Sequence, residues 1–462
     1  MPTLTHADFG SVRSPARAAR PFVASMLGLA VLLVAVPVLA QTTPDSSAEQ
    51  GVTPMDQMDL TVPQPGQPLI SAPAKPGERS PFFDDSKVSA QLRSFYFDRD
   101  KFDPSRSEAW AIGGSVTYKS GYMAERLALG GTVYGSYKLY GPDEYDGTLL
   151  LKPGQQSYTV LGQAYGEFKF TDRIFGAVGR KEYNTPYINA HDVRMTPNTF
   201  EGITAYGTAG GQEGASAWRF GGGYITKIKE KNSDSFVWMS RDAGANVDRG
   251  VYLAGANVEH KNLSVGAINY YSQDIINIFY TEAGYALPLA GKNKMKLAAQ
   301  FSDQRNTGDN LLTGQEFSAH QWGLKGDLGM GAALFTLAYT DTASGTSMRS
   351  PWSGYPGYTS VQVEDFNRAG ESAALIKMAY DLSKQGIKGT SAYALWVHGT
   401  GVSAPVYNED EYDFNLQWAA DKGDAWRGMS IRLRYARINQ RGGGDPAIND
   451  FRVILNYDFP RP

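Results

Sequence analysis

The amino-acid sequence predicts an all-β fold, a transmembrane antiparallel β-barrel of about eighteen strands with inward-folded loops that constrict the pore. Three features support this prediction. Short segments alternate apolar and polar residues, an apolar leader opens the chain, and aromatic residues are abundant, with 27 Tyr, 21 Phe and 8 Trp among 462 residues.

The alternation is clearest near the C-terminus, in segments 412–418, 431–435 and 451–459. Successive side chains of a strand point to opposite faces. One face of these segments therefore carries Tyr, Phe, Leu, Trp, Ile and Val, and the other carries Asp, Asn, Gln and Arg. A soluble sandwich buries the apolar face, whereas a membrane barrel turns it toward lipid. Periodicity alone does not distinguish the two.

The N-terminal segment favours export. Arg13, Arg17 and Arg20 precede the apolar stretch 26–36, and Ala40 follows as a small residue at a cleavage point. This order is typical of a secretory signal peptide, and the stretch is shorter than the roughly 20 apolar residues of a membrane helix. We expect residues 1–40 to be a signal peptide; a buried helix or a true start at Met26 is the alternative.

Beyond the leader, the composition divides the chain into two regions. Residues 41–82 are rich in Pro, Gln and Ser, and we expect them to form a disordered N-terminal arm. Residues 83–462 are expected to form the barrel domain. They contain no apolar run long enough for a membrane helix, so this domain is either soluble or crosses a membrane as strands. The many aromatic residues suit the girdles of an outer-membrane barrel, which favours that alternative.

Composition also excludes several chemistries. The chain has no Cys, so it has no disulfides, no catalytic thiol and no Cys-based metal site. Its formal net charge of −3 does not indicate nucleic-acid binding. We expect no cofactor and no metal.

Alternation and turn residues predict eighteen strands, at 87–97, 108–119, 125–138, 156–169, 173–181, 199–208, 217–229, 250–259, 263–273, 276–287, 294–304, 316–327, 332–342, 372–383, 389–399, 411–420, 429–439 and 450–459. Short turns alternate with long connections, of which 183–198, 230–249 and 344–370 are examples. Outer-membrane barrels have this asymmetry between periplasmic turns and extracellular loops. We expect pairing to end at Phe459, because Pro460 has no N–H to donate.

Six segments in order resemble one known family: 83–86, 92–100, 118–122, 194–202, 227–236 and 365–371. Together they span about residues 83–459 and are similar to the OprD-type, or outer-membrane carboxylate channel (Occ), porins. The resemblance implies an eighteen-stranded porin, monomeric or loosely trimeric, in the outer membrane of a Gram-negative bacterium. It also implies passive uptake of small carboxylate-bearing solutes, such as amino acids or organic and aromatic acids. Membrane lipid and the barrel assembly machinery would be its partners.

Such a channel needs several weak cationic binding sites along its wall, because an anionic solute must enter the pore readily and still leave it. Alternation turns a set of basic residues inward, and the resemblance implies that they form a ladder: Arg93, Lys377, Arg432, Arg434 and Arg452. An outward Arg or Lys at the membrane midplane would cost about 2–4 kcal/mol. The alternative is that they are ordinary lumen charges paired with Asp413 or Asp458.

The long connection 183–198 is the predicted constriction, and its polar residues are the candidate pore-lining groups: Tyr187, Asn189, His191, Asp192 and Arg194. In a second loop, 352–367, Glu364 and Asp365 are candidates to hold an ammonium group, unless they are simply solvated acids at a loop tip. Segment 179–186 carries more charge than the carboxylate branch of the family. A general diffusion porin, or a channel for sugars or small peptides, therefore stays open.

An enzyme is the distant alternative, since an outer-membrane barrel can be a lipid hydrolase. The sequence has no Gly-x-Ser-x-Gly motif, and its five His have no metal-ligand spacing. Alternation with Tyr393, Leu395 and Val397 as outward residues predicts that His398 faces the lumen. We therefore do not expect an enzyme.

Overall fold

The structure is a computed structural model that describes residues 81–211, 215–289, 293–403, 405–421, 423–442, 444 and 446–459. The predicted signal peptide, 1–40, and nearly all of the predicted arm, 41–82, lie outside the described residues. Both stay predictions.

The chain forms one antiparallel sheet that closes on itself. Its strands are β1 (Lys87–Asp100), β2 (Arg106–Lys119), β3 (Leu127–Tyr140), β4 (Tyr158–Thr171), β5 (Ile174–Lys181), β6 (Thr199–Gly210), β7 (Ala217–Lys229), β8 (Val237–Trp238), β9 (Val251–His260), β10 (Leu263–Ser272), β11 (Ile276–Pro288), β12 (Lys294–Arg305), β13 (Ser318–Met330), β14 (Ala333–Thr342), β15 (Ser372–Asp381), β16 (Thr390–Thr400), β17 (Asn408–Ala419), β18 (Met429–Arg441) and β19 (Ala447–Asp458). β8 is only two residues long and pairs with the end of β7. The other eighteen strands form the wall and confirm the predicted barrel, each predicted boundary lying within three residues of the observed one.

The barrel closes where the last strand pairs with the first. Gln91 of β1 lies opposite Asp458 of β19, and Arg99 lies opposite Asp450. The N–H of Phe459 donates to the carbonyl of Ala90 at 2.9 Å, so backbone pairing reaches the predicted last aromatic residue. Closure pairs both edges of the described sheet, as a wall in lipid requires.

Helical structure is sparse in the described residues. Two short α-helices are present, α1 (Pro81–Asp84) and α2 (Met239–Asp242), with 3-10 turns at Asp143–Tyr145 and Leu382–Gln385. No helix among these residues has the length and apolar character that crossing a membrane demands.

The two ends of the barrel differ, as predicted. At one end the strands are joined by short turns. At the other end, four long connections matter for the lumen: L2 (141–157), L3 (182–198), L4 (230–250) and L7 (343–371). Because long loops are extracellular in outer-membrane barrels, this end is the extracellular one.

Inward-folded loops fill part of the barrel interior. L3 and L7 bring apolar side chains inside the wall. Tyr187 of L3 and Trp352 of L7 belong to one buried cluster with Tyr270 of β10 and Tyr280 of β11. The prediction of Tyr187 as a pore-lining residue is therefore wrong, because its side chain is fully buried and its hydroxyl hydrogen-bonds to Ser302.

The orientation predicted for β16 is also wrong. Val397 is completely buried in a cluster that includes Tyr358 and Phe366 of L7, whereas Trp396 is 38% exposed on the outer face. His398 shares that outer face, with its Nδ1 at 2.6 Å from Oδ1 of Asp410. L7 lies against β16 inside the barrel, so the inward side of this strand is apolar and the usual pattern is inverted.

Candidate functional site

Four of the five predicted ladder residues lie on three neighbouring strands that meet at the barrel seam. Arg93 is on β1, Arg452 on β19, and Arg432 and Arg434 are on β18. Arg452 lies opposite Arg434 in the sheet register. Lys377 is on β15, and β16 and β17 separate it from this group. All five point inward, since the alternating side chains on their strands are the exposed apolar ones.

L3 crosses the lumen to reach this wall. Its Tyr187 packs against β10 and β11, while Asp192, five residues later, binds β1 on the opposite side of the ring. The side chain of Arg93 holds Asp192 through two hydrogen bonds, Nη1 to Oδ1 at 2.6 Å and Nη2 to Oδ2 at 2.9 Å. A guanidinium and a carboxylate paired in this way fix both position and orientation. L3 therefore bridges the barrel from wall to wall.

Arg452 forms the second contact between wall and loop. It is almost fully buried, pairs with Asp450 at 2.7 Å, and donates to the carbonyl of Gln362 in L7 at 3.2 Å. Asp450 also pairs with Arg99 at 2.7 Å. Among the described residues, the ion pair of Arg452 is with Asp450, and not with the predicted partners Asp413 or Asp458.

Arg434 and Lys377 share one aromatic residue. The hydroxyl of Tyr393, on β16, accepts a hydrogen bond from Nη2 of Arg434 at 3.4 Å, and Nζ of Lys377 lies 4.3 Å from the centre of the Tyr393 ring. Arg432 donates to Oδ1 of Asn415 at 2.7 Å. These three cations are half-buried, unlike Arg93 and Arg452. Tyr393 thus connects the seam to β15 along the inward face.

The remaining L3 candidates mostly hold the loop in place. The side chain of Asn189 donates to the carbonyls of Thr185 and Pro186. Arg194 is buried, donates to the carbonyl of Thr148 in L2 at 2.8 Å, and lies 5.0 Å from the ring centre of Phe97. It joins L3 to L2 and the wall, so its prediction as a pore-lining group is wrong.

His191 is a neutral side chain in this loop. Burial lowers its pKa to about 3, and the nearby Lys231 and Arg194 add to the effect. Its ring lies close to Gly354, where an added Cβ would be 3.1 Å from the ring, so L3 and L7 approach closely there. His191 therefore contributes no charge to the lumen at neutral pH.

Two wall carboxylates hold L7. The carboxylate of Glu411 accepts the backbone N–H groups of Val363 and Glu364, each at 2.8 Å, and Asp413 accepts the N–H of Gln362 at 3.2 Å. Glu411 is fully buried. Three successive backbone donors of L7 are therefore bound to the side-chain carboxyl oxygens of β17.

The two predicted acids of L7 lie beside this attachment. Burial raises the pKa of Glu364 to about 7, and the neighbouring Glu409 raises it further. Burial also raises the pKa of Asp365, whose Oδ1 accepts a hydrogen bond from Ser360 at 2.6 Å. At neutral pH Glu364 is therefore less negative than an ordinary carboxylate would be.

Sequence reasoning missed two further inward cations, Lys325 on β13 and Lys296 on β12. Nζ of Lys325 lies 3.7 Å from Asp327 and 5.1 Å from the ring centre of Tyr358. Lys296 lies opposite Asp327 in the register. The alternation rule would have found both, because Leu324 and Leu297 are their exposed neighbours. They extend the row of inward cations from the seam to β12.

A closed barrel with an apolar outer wall and a charged lumen crossed by loops defines a membrane channel. The family described as "outer membrane porin, OprD family" matches residues 80–461. The chain belongs to this family of outer membrane porins of Gram-negative bacteria, which confirms the resemblance, the fold class and the location.

The curated relatives include Porin D of Pseudomonas aeruginosa, 24% identical over 429 residues, covering 82% of this chain and 92% of that protein. Porin-like protein GalP of Pseudomonas putida is 29% identical over 396 residues, covering 81% and 92%. Among solved structures, OccK9 (OpdG) of Pseudomonas aeruginosa has a TM-score of 0.72 at 23% identity, covering 82% of this chain and 99% of that one. These proteins are channels rather than enzymes.

Proposed function

We propose that this porin takes up small anionic solutes, above all carboxylates such as amino acids and organic or aromatic acids. The observation that carries the proposal is the row of inward cations on β18, β19, β15, β13 and β12. Several weak cationic binding sites along a pore wall favour the entry of an anion without trapping it.

The distribution of opposite charge supports this proposal. Glu411 and Asp413 are bound to the backbone of L7, and Asp450 lies between Arg99 and Arg452. Half-buried Arg432, Arg434 and Lys377 contact neutral Asn and Tyr side chains. Glu411, Asp413 and Asp450 are therefore used where L7 attaches to the wall.

The depth of the cations suggests different roles. Arg93 and Arg452 are almost fully buried and hold L3 and L7, so we assign them to shaping the constriction. Arg432, Arg434 and Lys377 retain exposed surface, so we assign them to contact with the solute. Lumen substitutions in such barrels change selectivity more than stability.

Planar-bilayer recordings test the proposal. The double variant Arg434→Gln with Lys377→Gln should move the reversal potential in a KCl gradient toward cation selectivity. The matched control is Arg305→Gln, which removes the same kind of charge from the outer face, where Asp303 already pairs with it at 2.8 Å.

Adding solutes during the recordings distinguishes a carboxylate channel from a general or sugar channel. Acetate, glutamate and benzoate should reduce the ion current through the wild-type pore, and the double variant should respond less. If a neutral sugar reduces the current as well as benzoate does, a general or sugar channel replaces the carboxylate assignment. An unchanged reversal potential in the double variant would show that these cations do not face the path of the ions.

A further inference from the structure

The outer wall carries an unusual polar group at the extracellular end of β18 and β19. We call Arg437, Asn439 and Asn449 the Arg437 patch. Arg437 follows the outward residues Leu433 and Tyr435, and it lies opposite Asn449 of β19 and Tyr412 of β17. The patch therefore faces away from the lumen and takes no part in the channel proposed above.

The patch lies where the apolar wall ends. Tyr412 is 45% exposed, and Tyr435 and Phe451 are each 38% exposed on the same face. Aromatic side chains of this kind lie at the boundary between hydrocarbon and headgroups. Arg437 comes two residues beyond Tyr435 toward the extracellular loops, so its guanidinium is at headgroup level in the outer leaflet.

The chemistry of the patch is that of a hydrogen-bond donor. Arg437 donates through Nε to Oδ1 of Asn439 at 3.0 Å and through Nη1 to Oδ1 of Asn449 at 3.2 Å. The hydroxyl of Tyr435 donates to the same oxygen of Asn449 at 2.9 Å. Both amide oxygens are thus occupied. Nη2 of Arg437 and the two amide NH₂ groups have no acceptor among the described residues.

Other outward arginines near this end of the wall are neutralised. Arg106 pairs with Asp98 at 2.6 Å, Arg180 with Glu201 at 3.0 Å, and Arg305 with Asp303 at 2.8 Å. Within the described part of the chain, no carboxylate pairs with Arg437. Neutral amides, rather than a directly paired carboxylate, orient this cation.

We propose that the Arg437 patch binds the phosphate group of a lipid in the outer leaflet. A guanidinium whose Nη2 still lacks an acceptor, flanked by two amide donors, matches the charge and hydrogen-bonding capacity of a phosphate. The adjacent Tyr412, Tyr435 and Phe451 provide an apolar surface for the acyl chains. Basic groups next to a membrane surface recognise anionic headgroups in this way.

Native mass spectrometry of the purified full-length barrel in detergent tests this. Phosphatidic acid, which has a phosphate monoester, is compared with phosphatidylcholine of the same acyl chains. Arg437→Gln should weaken the apparent affinity for phosphatidic acid about fivefold. Asn439→Asp should weaken it similarly while keeping the cation, because a carboxylate then competes for Arg437. Arg305→Gln is the matched control and should bind like wild type.

Three other outcomes would overturn the proposal that the Arg437 patch binds a lipid phosphate. Equal losses in the variants of Arg437 and Arg305 would mean a diffuse charge effect. Displacement of the lipid by an equal concentration of inorganic phosphate would mean a site for free phosphate. A change of oligomeric state in Arg437→Gln with unchanged lipid binding would mean an interface between copies of the chain. Migration of unheated samples on gels verifies that each variant is folded.

Discussion

The ion pair between Arg93 and Asp192 should control how firmly L3 is docked. The perturbation is Asp192→Asn, which keeps the size of the side chain and removes its charge. Arg93 would keep its bonds to Oδ1 of Asn456 at 2.8 Å and to the carbonyl of Arg194 at 2.6 Å, so its position is retained. Only the attachment of L3 to β1 is weakened.

The free-energy cost of Asp192→Asn follows from the solvent exposure of the two paired side chains. The side chain of Arg93 is 6% exposed and that of Asp192 is 33% exposed, so the pair lies between a surface and a buried one. Exposed pairs contribute about 0–1 kcal/mol, and breaking a buried pair costs about 3–5 kcal/mol. We expect a loss of about 2 kcal/mol for Asp192→Asn, which is roughly a thirtyfold shift in the equilibrium between docked and undocked L3.

Single-channel recording measures this shift as changed open-state current and more frequent transitions between current levels. Asp103→Asn is the matched control, because the side chain of Asp103 accepts hydrogen bonds only from Ser105 among the described residues. A double-mutant cycle with Arg93→Gln isolates the pair itself. Identical traces for Asp192→Asn and wild type, or strictly additive effects in the cycle, would refute a role for this pair in docking L3.

Three other perturbations have defined outcomes. Glu411→Ala removes the acceptor of two L7 backbone N–H groups, including that of Val363, and should cost about 3 kcal/mol of loop attachment; faster proteolysis within L7 would show it, and unchanged cleavage would contradict it. Because the pKa of Glu364 is raised to about 7, anion selectivity should rise as the pH falls from 8 to 6, and Glu364→Gln should abolish this dependence. If the selectivity of Glu364→Gln still depends on pH, another titrating group is responsible. Phe459→Ser, which leaves the backbone bond to Ala90 possible, should lower the yield of heat-modifiable barrel, and equal yield would show that the ring is not needed for assembly.

Sequence patterns were sufficient to predict the strands that form the wall of this barrel. The period of two along a strand is a local property, and Gly, Asn, Asp and Pro mark the turns, so strand number and boundaries follow from residues near one another in the chain. Arg434 illustrates this, since its neighbours Leu433 and Tyr435 alone establish that it points inward. The same rule applied to β12 and β13 identifies Lys296 and Lys325.

The contacts inside the barrel could be identified only from the tertiary structure, because loops distant in sequence fill the interior. Val397 is buried by Tyr358 and Phe366 of L7, so the rule that the apolar face meets lipid fails on β16 and His398 lies outside. The pairing of Arg93 with Asp192 joins residues 99 positions apart. The sequence alone determined that the chain is a barrel with inward cations. Which cations hold loops and which remain partly exposed was decided by the path of L3 and L7 across the lumen, where burial and ion pairing depend on long-range contacts.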